Sequence, residues 1–188
     1  MPLDSTSSPG DDPASSARDE RIGIPRALVG RDVLDARDAA DATARAMRPG
    51  RAGGYSYQFA FPDGGSLVAE TTGSRGSAMA MHAHTNHAID PSVAEVTFPP
   101  SSGSQRRLTR ASTLASTAEP TMDGIVGILA DHDGAPESIC AHPDPADGDE
   151  GSTILFAMVA EPARRSLTIA SGHACTGAFE TFQLDELR

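Results

Sequence analysis

Tyr55, Tyr57, Phe59 and Phe61 alternate with small or polar residues, and after the turn Asp63-Gly64-Gly65 the stretch Leu67 to Thr72 supplies a return strand. Period-two alternation on either side of a glycine-bearing turn is the pattern of a β-hairpin. No other stretch commits the chain to one local geometry so strongly, and the neighbouring segments must supply whatever covers the hairpin.

Upstream, Met1 to Arg21 consists of Ser, Asp, Pro, Gly and Ala with almost no large apolar side chain, so it cannot offset the entropy of ordering and is expected to be a disordered tail. From Ile22 the pattern changes. Pro25 suits a first helical turn, with Leu28, Val29, Val33 and Leu34 at helical spacing. A second helix is expected from an Asp38 N-cap through Ala39 to Met47, stopped by Pro49-Gly50.

Downstream of the hairpin, Gly73 to Ser77 reads as a break, Met79 to Ala83 as a third strand, and Val93 to Phe98 as an extended segment closed by Pro99-Pro100. Ser104 to Ser116 predicts an Arg-rich surface helix, and Met122 to Ala130 another with Ile125, Ile128 and Leu129 turned inward. Asp131 to Gly151 is loop-like around Ser138-Ile139-Cys140. Thr153 to Val159 and Leu167 to Ala170 form a second hairpin across Glu161 to Arg165, with a final strand at Phe179 to Leu184. This order fits an α+β sandwich with antiparallel sheet rather than a βαβ winding. With 188 residues, 38% of them hydrophobic, one domain over residues 22–188 is the expectation.

Charge and composition exclude several functions. A net charge of −11 opposes nucleic-acid and anionic-membrane partners, which need clustered cations. All fifteen basic residues are arginine, so Schiff-base chemistry and a lysine general base are out, and the absence of Trp argues against a stacking platform. No apolar run approaches the roughly 18 residues of a membrane span, and no signal-peptide pattern opens the chain, so a cytoplasmic protein is expected.

The densest chemistry is His82-Ala83-His84-Thr85-Asn86-His87, which holds three of the six histidines. Two chemistries want such a stretch. One is a metal site: His82, His84 and His87 match the His-x-His-x-Asp-His pattern of metallo-β-lactamase-like zinc hydrolases except that Asn86 stands where an aspartate is required, with His132, His142, Asp144 and His173 as further donors. The other is an oxyanion site in which the Asn86 amide donates to a developing alkoxide while a flanking histidine holds it in place. Other groups read more plainly. Asp131-His132-Asp133 with Asp144, Asp147 and Asp149 lacks calcium-loop spacing and reads as a solvated acidic loop. Arg106, Arg107 and Arg110 share a helix face and are expected to pair with surrounding acids. Cys140 and Cys175 read as packing residues, because a reactive thiol needs a base or cation beside it.

Gly23-Ile24-Pro25-Arg26, Val68-Ala69-Glu70, His84-Thr85-Asn86-His87, Ser138-Ile139-Cys140 and Gly172-His173-Ala174-Cys175, in that order, resemble the later part of the acyl-coenzyme A:6-aminopenicillanate (isopenicillin N) acyltransferase family. That resemblance implies an αββα N-terminal-nucleophile hydrolase sandwich, incomplete at its N-terminus. It also implies acyl transfer or hydrolysis at an amide or thioester through an acyl-cysteine intermediate, with neither metal nor cofactor. It places Asn86 at the oxyanion-stabilising position. Tyr55, Tyr57, Phe59, His84 and His87 would bind a small-molecule acyl substrate such as an acyl-coenzyme A. The family nucleophile is a cysteine exposed by self-cleavage, and no cysteine precedes Cys140 here; Ser5 to Ser8 are poor substitutes. Glu150 and Ala141 also stand where the family tends to carry basic residues. The expectation is a chain inactive alone, its nucleophile lost to a late start codon, carried by a second chain, or absent from a degenerate remnant. The different-class alternative is a non-catalytic interaction module.

Overall fold

The computed structural model describes residues 19–97, 102–143 and 153–186. Most of the expected tail, the Phe98-Pro99-Pro100 close, the acids Asp144, Asp147 and Asp149, and Glu150 to Ser152 lie outside the described residues.

The aromatic hairpin forms as its alternation predicts. β1 (Tyr55–Ala60) pairs antiparallel with β2 (Ser66–Thr71), Tyr57 opposite Ala69, across a turn in which Gly64 takes a φ of 87° that disfavours a side chain. The Asp63 side chain accepts from Gly65 N–H at 3.0 Å and fixes that turn. β3 (Gly76–Met79) completes a three-stranded sheet on the other side of β2.

The two expected helices precede it. α1 (Arg26–Val33) starts after Pro25, and α2 (Ala39–Ala46) starts at Asp38, whose carboxylate accepts from Asp41 N–H. Their apolar stripes supply Val29, Val33 and Ala46, which pack with Tyr57 and Ala69 into one buried cluster, with Phe59 and Leu67 partly buried against it. The Arg51 guanidinium is buried beside this layer and donates to the carbonyls of Arg48, Thr72 and Arg75, so its charge is bonded on every side the chain closes.

The second half repeats the plan. β4 (Phe156–Glu161), β5 (Ser166–Ser171) and β6 (Phe179–Gln183) form a second antiparallel sheet in chain order, and α4 (Ser102–Thr117) and α5 (Met122–Leu129) precede it, α5 packing on β4. The chain is therefore α+β, with two small antiparallel sheets each preceded by a helix pair. Among the described residues no helix is long and apolar enough to cross a membrane.

Five local expectations need correction. The Gly73–Ser77 break hides the start of β3, because an edge strand needs little side chain and Gly76 sits where a Cβ would lie 3.2 Å from Met47. The expected strand over Met79–Ala83 is instead mostly loop. Val93 and Ala94 are helical and Glu95 and Val96 form a turn, rather than an extended segment: Asp90 caps Ser92 N–H at 2.8 Å and Pro91 opens α3 (Pro91–Ala94), a start signal that outweighs the β-branched valines. Ile125 is 40% exposed, not inward. Asp19 to Arg21, expected within the tail, are bonded to the body of the fold: Arg21 N–H donates to the Ala52 carbonyl at 2.6 Å and the Asp19 carboxylate takes Thr72, Ser74 and Arg21 as donors.

Candidate functional site

Period-two alternation gives the first sheet two unlike faces. Ser56, Glu70 and Ser77 are consecutive cross-strand partners and share one face, while Tyr57, Ala69 and Ala78 share the other, toward α1 and α2. The histidine stretch, residues 82–90, lies on the Ser56–Glu70–Ser77 face.

Glu70 organises it. Its carboxylate is 2% exposed and accepts three hydrogen bonds: from His84 Nε2 at 2.7 Å, Ile89 N–H at 2.7 Å and Asp90 N–H at 2.8 Å. One buried side chain thereby clasps both ends of the 84–90 loop to the C-terminal end of β2. Burial by itself would raise the Glu70 carboxyl, but the His84 bond and the two backbone donors outweigh it and hold the group below its ordinary value. Ser77 Oγ donates to Asp90 at 2.6 Å, tying the loop's exit to β3 as well.

A second clasp reaches α4. His87 Nδ1 shares a 2.7 Å hydrogen bond with the buried Ser104 hydroxyl, and Thr85 Oγ1 donates to the Ser104 carbonyl at 3.0 Å, so the first turn of α4 grips both residues flanking Asn86. Burial, followed by the neighbouring His84, pushes the His87 pKa down, favouring the neutral ring.

Asn86 is the exposed tip between these anchors. Arg107 Nη2, one turn along α4, donates to Asn86 Oδ1 at 2.9 Å. A guanidinium has donors only, so the amide atom facing it must be the oxygen, and the two N–H donors of Nδ2 are turned away from it. The result is an exposed amide donor on a loop whose backbone is fixed at both ends.

The sequence-predicted residues thus fall into two groups. His84, Asn86 and His87 come together, with His84 and His87 engaged as anchors. Tyr55, Tyr57 and Phe59 do not join them: they line up on the opposite face, Tyr57 stacked on Phe59 in the core and Tyr55 edge-on to Tyr57, half exposed under the Arg26 guanidinium, because residues of one strand parity cannot reach the face of the other. The three histidines build no metal centre. His84 is spent on Glu70 and His87 on Ser104, and they are not among the clustered ligand donors of the described residues. Arg106 and Arg110 pair with Glu137 and Asp131 as expected, whereas Arg107 serves Asn86. The sequence places Glu70 only within a family-like motif and Arg107 only on a cationic helix face, and assigns neither to the site. The available signal for Glu70 was a single acid inside the otherwise uncharged run Leu67–Thr72.

Compared with models of known protein families, residues 13–174 match the one described as acyl-coenzyme A:6-aminopenicillanic acid acyl-transferase. No curated protein matches the chain.

Proposed function

Because the chain belongs to the acyl-coenzyme A:6-aminopenicillanic acid acyl-transferase family, we propose that it acts in acyl transfer from a thioester or amide, with Asn86 as the donor that stabilises the acyl oxyanion. The observation that carries this reading is the Arg107–Asn86 bond, which holds the carboxamide oxygen and leaves the amide N–H groups directed outward from a doubly clasped loop.

When a nucleophile adds to the acyl carbonyl, the carbon–oxygen π electrons move onto oxygen. A preorganised N–H donor stabilises that charge with no reorganisation at the moment of reaction. Arg107 contributes twice: it orients the amide and polarises it, so Nδ2–H becomes a stronger donor. His84 and His87 act as positioning residues for this loop. Collapse of the tetrahedral adduct expels the coenzyme A thiol or the amine and leaves an acyl-enzyme, which an amine or water then resolves.

The attacking group is a family-type cysteine thiol, and neither cysteine among the described residues suits the task. Both sulfurs converge on His142, away from Asn86 contacts. Cys140 and Cys175 are the two cysteines of these 188 residues, so we assign the attack to a thiol carried by a further segment or a second chain. In the same reading the two sheets, each carrying its own helix pair, form the inner layers of the αββα sandwich.

The test is transfer from phenylacetyl-coenzyme A to 6-aminopenicillanate by the complete natural protein. Asn86→Ala should lower kcat by about 10²–10³ with little change in KM, and Arg107→Met by less. Asn86→Ala with kcat within threefold of the parent would remove the oxyanion assignment. Saturable binding of the acyl donor without any transfer or hydrolysis would instead identify an interaction module.

A further inference from the structure

His132, Cys140, His142 and Cys175 present their ligand atoms within 4.8 Å of one another. From this convergence we propose a structural metal site of the Cys₂His₂ type, taking one tetrahedral divalent cation of the zinc class, separate from the Asn86 loop.

Three distant segments meet there. His132 follows the end of α5. Cys140 and His142 lie beyond a loop that is closed by Cys140 N–H donating to Asp131 at 2.9 Å and stiffened by Ser138 Oγ donating to the Cys140 carbonyl at 2.9 Å. Cys175 sits in the tight turn between β5 and β6, where Gly177 N–H returns to the His173 carbonyl at 2.8 Å. These are backbone-fixed positions, so the four side chains face each other by construction of the fold.

The separations suit a cation. Zinc bonds of about 2.3 Å to sulfur and about 2.0–2.1 Å to nitrogen, set tetrahedrally, put nitrogen–nitrogen pairs near ~3.3 Å and nitrogen–sulfur pairs near ~3.6 Å. His142 Nε2 lies 3.0 Å from His132 Nε2, 3.3 Å from Cys175 Sγ and 3.8 Å from Cys140 Sγ. Two imidazoles and two thiols form a donor set that zinc prefers over calcium or magnesium, and four protein ligands close the shell, which makes the site structural rather than catalytic. Binding converts two thiols to thiolates and releases two protons, so the bound unit carries no net charge from its metal and sulfurs. The His173 ring stacks on His142 at 3.9 Å between centroids, while its Nε2 meets Thr153 Oγ1 at 3.2 Å; it supports the ligand ring from outside the donor set.

Such an ion would staple the second sheet's β5–β6 turn to the loop that follows α5. It also explains why Cys175, an exposed cysteine, and Cys140, a buried one, face the same imidazole.

The experiment uses the full chain without a histidine tag, purified under reducing conditions, stripped with a chelator and titrated with Co²⁺. The expected result is one equivalent bound, with the visible bands of tetrahedral cobalt and a thiolate-to-cobalt charge-transfer band, both displaced by Zn²⁺. Cys175→Ser and His132→Ala change exposed residues and should keep the native circular dichroism while weakening cobalt affinity by about a hundredfold or more. His173→Ala should still bind one equivalent. Absence of the bands at stoichiometric cobalt, full retention of binding in Cys175→Ser, or a Cys140–Cys175 disulfide in the native protein under non-reducing mass mapping would overturn the proposal.

Discussion

Replacing Glu70 by glutamine changes one oxygen for an NH₂ group at nearly constant volume, and the structure states what that costs. The carboxylate faces three donors and no acceptor: His84 Nε2, Ile89 N–H and Asp90 N–H, all within 2.8 Å. A glutamine can turn its single oxygen toward His84 and Ile89, which share Oε1, but its NH₂ then opposes the Asp90 N–H. One buried donor left without an acceptor costs about 1–3 kcal/mol, and the two surviving bonds lose their charge assistance at roughly 0.5–1 kcal/mol each. Glu70→Gln should therefore destabilise the fold by about 3 kcal/mol, or ~6–12 °C in Tm for a chain of this size. Urea unfolding measures the global loss, and hydrogen exchange at the Ile89 and Asp90 amides measures the local one. In a His84→Ala background the same substitution should cost less, because one of the three donors is already gone. A loss under ~1 kcal/mol with unchanged protection of both amides would refute the clasp.

Acid should loosen the same loop. The Asp90 carboxyl is held down to about 2, chiefly by the Ser77 hydroxyl and then by Ser92, so its folded value lies below its unfolded one. Its contribution is present above about pH 4 and is lost as pH falls toward 2. Glu70, also lowered, acts in the same direction. Asp90→Asn should flatten the acid limb of a stability–pH curve between those values, and an unchanged limb would count against the assignment. Tyr57→Ala, which empties the centre of the Val29–Val33–Ala46 cluster, should cost about 3–5 kcal/mol in denaturant midpoint analysis. Gly54→Ala would place a Cβ 2.0 Å from the Thr71 carbonyl and should displace the start of β1, seen as lost protection of Tyr55. Asn86→Ala, at an exposed tip, should leave Tm within a degree or two while acting on kcat.

Much of the local architecture was readable directly. The alternating aromatics required a strand, Asp63-Gly64-Gly65 required its turn, Asp38 required a helix start, and the ordered motifs carried the family. Each is a short-range consequence of backbone geometry and side-chain periodicity. The sequence also singled out Asn86, because a carboxamide between histidines is chemically conspicuous. Tertiary structure alone decided which face each group would occupy. Strand parity put Tyr57 on the helix side and Glu70 on the loop side, a distinction that spacing cannot make until register and packing are known. It also brought Arg107 to Asn86 and Cys175 to Cys140 and His142. Those pairs are separated by tens of residues, and only the packed sheets and helices bring their side chains within bonding distance.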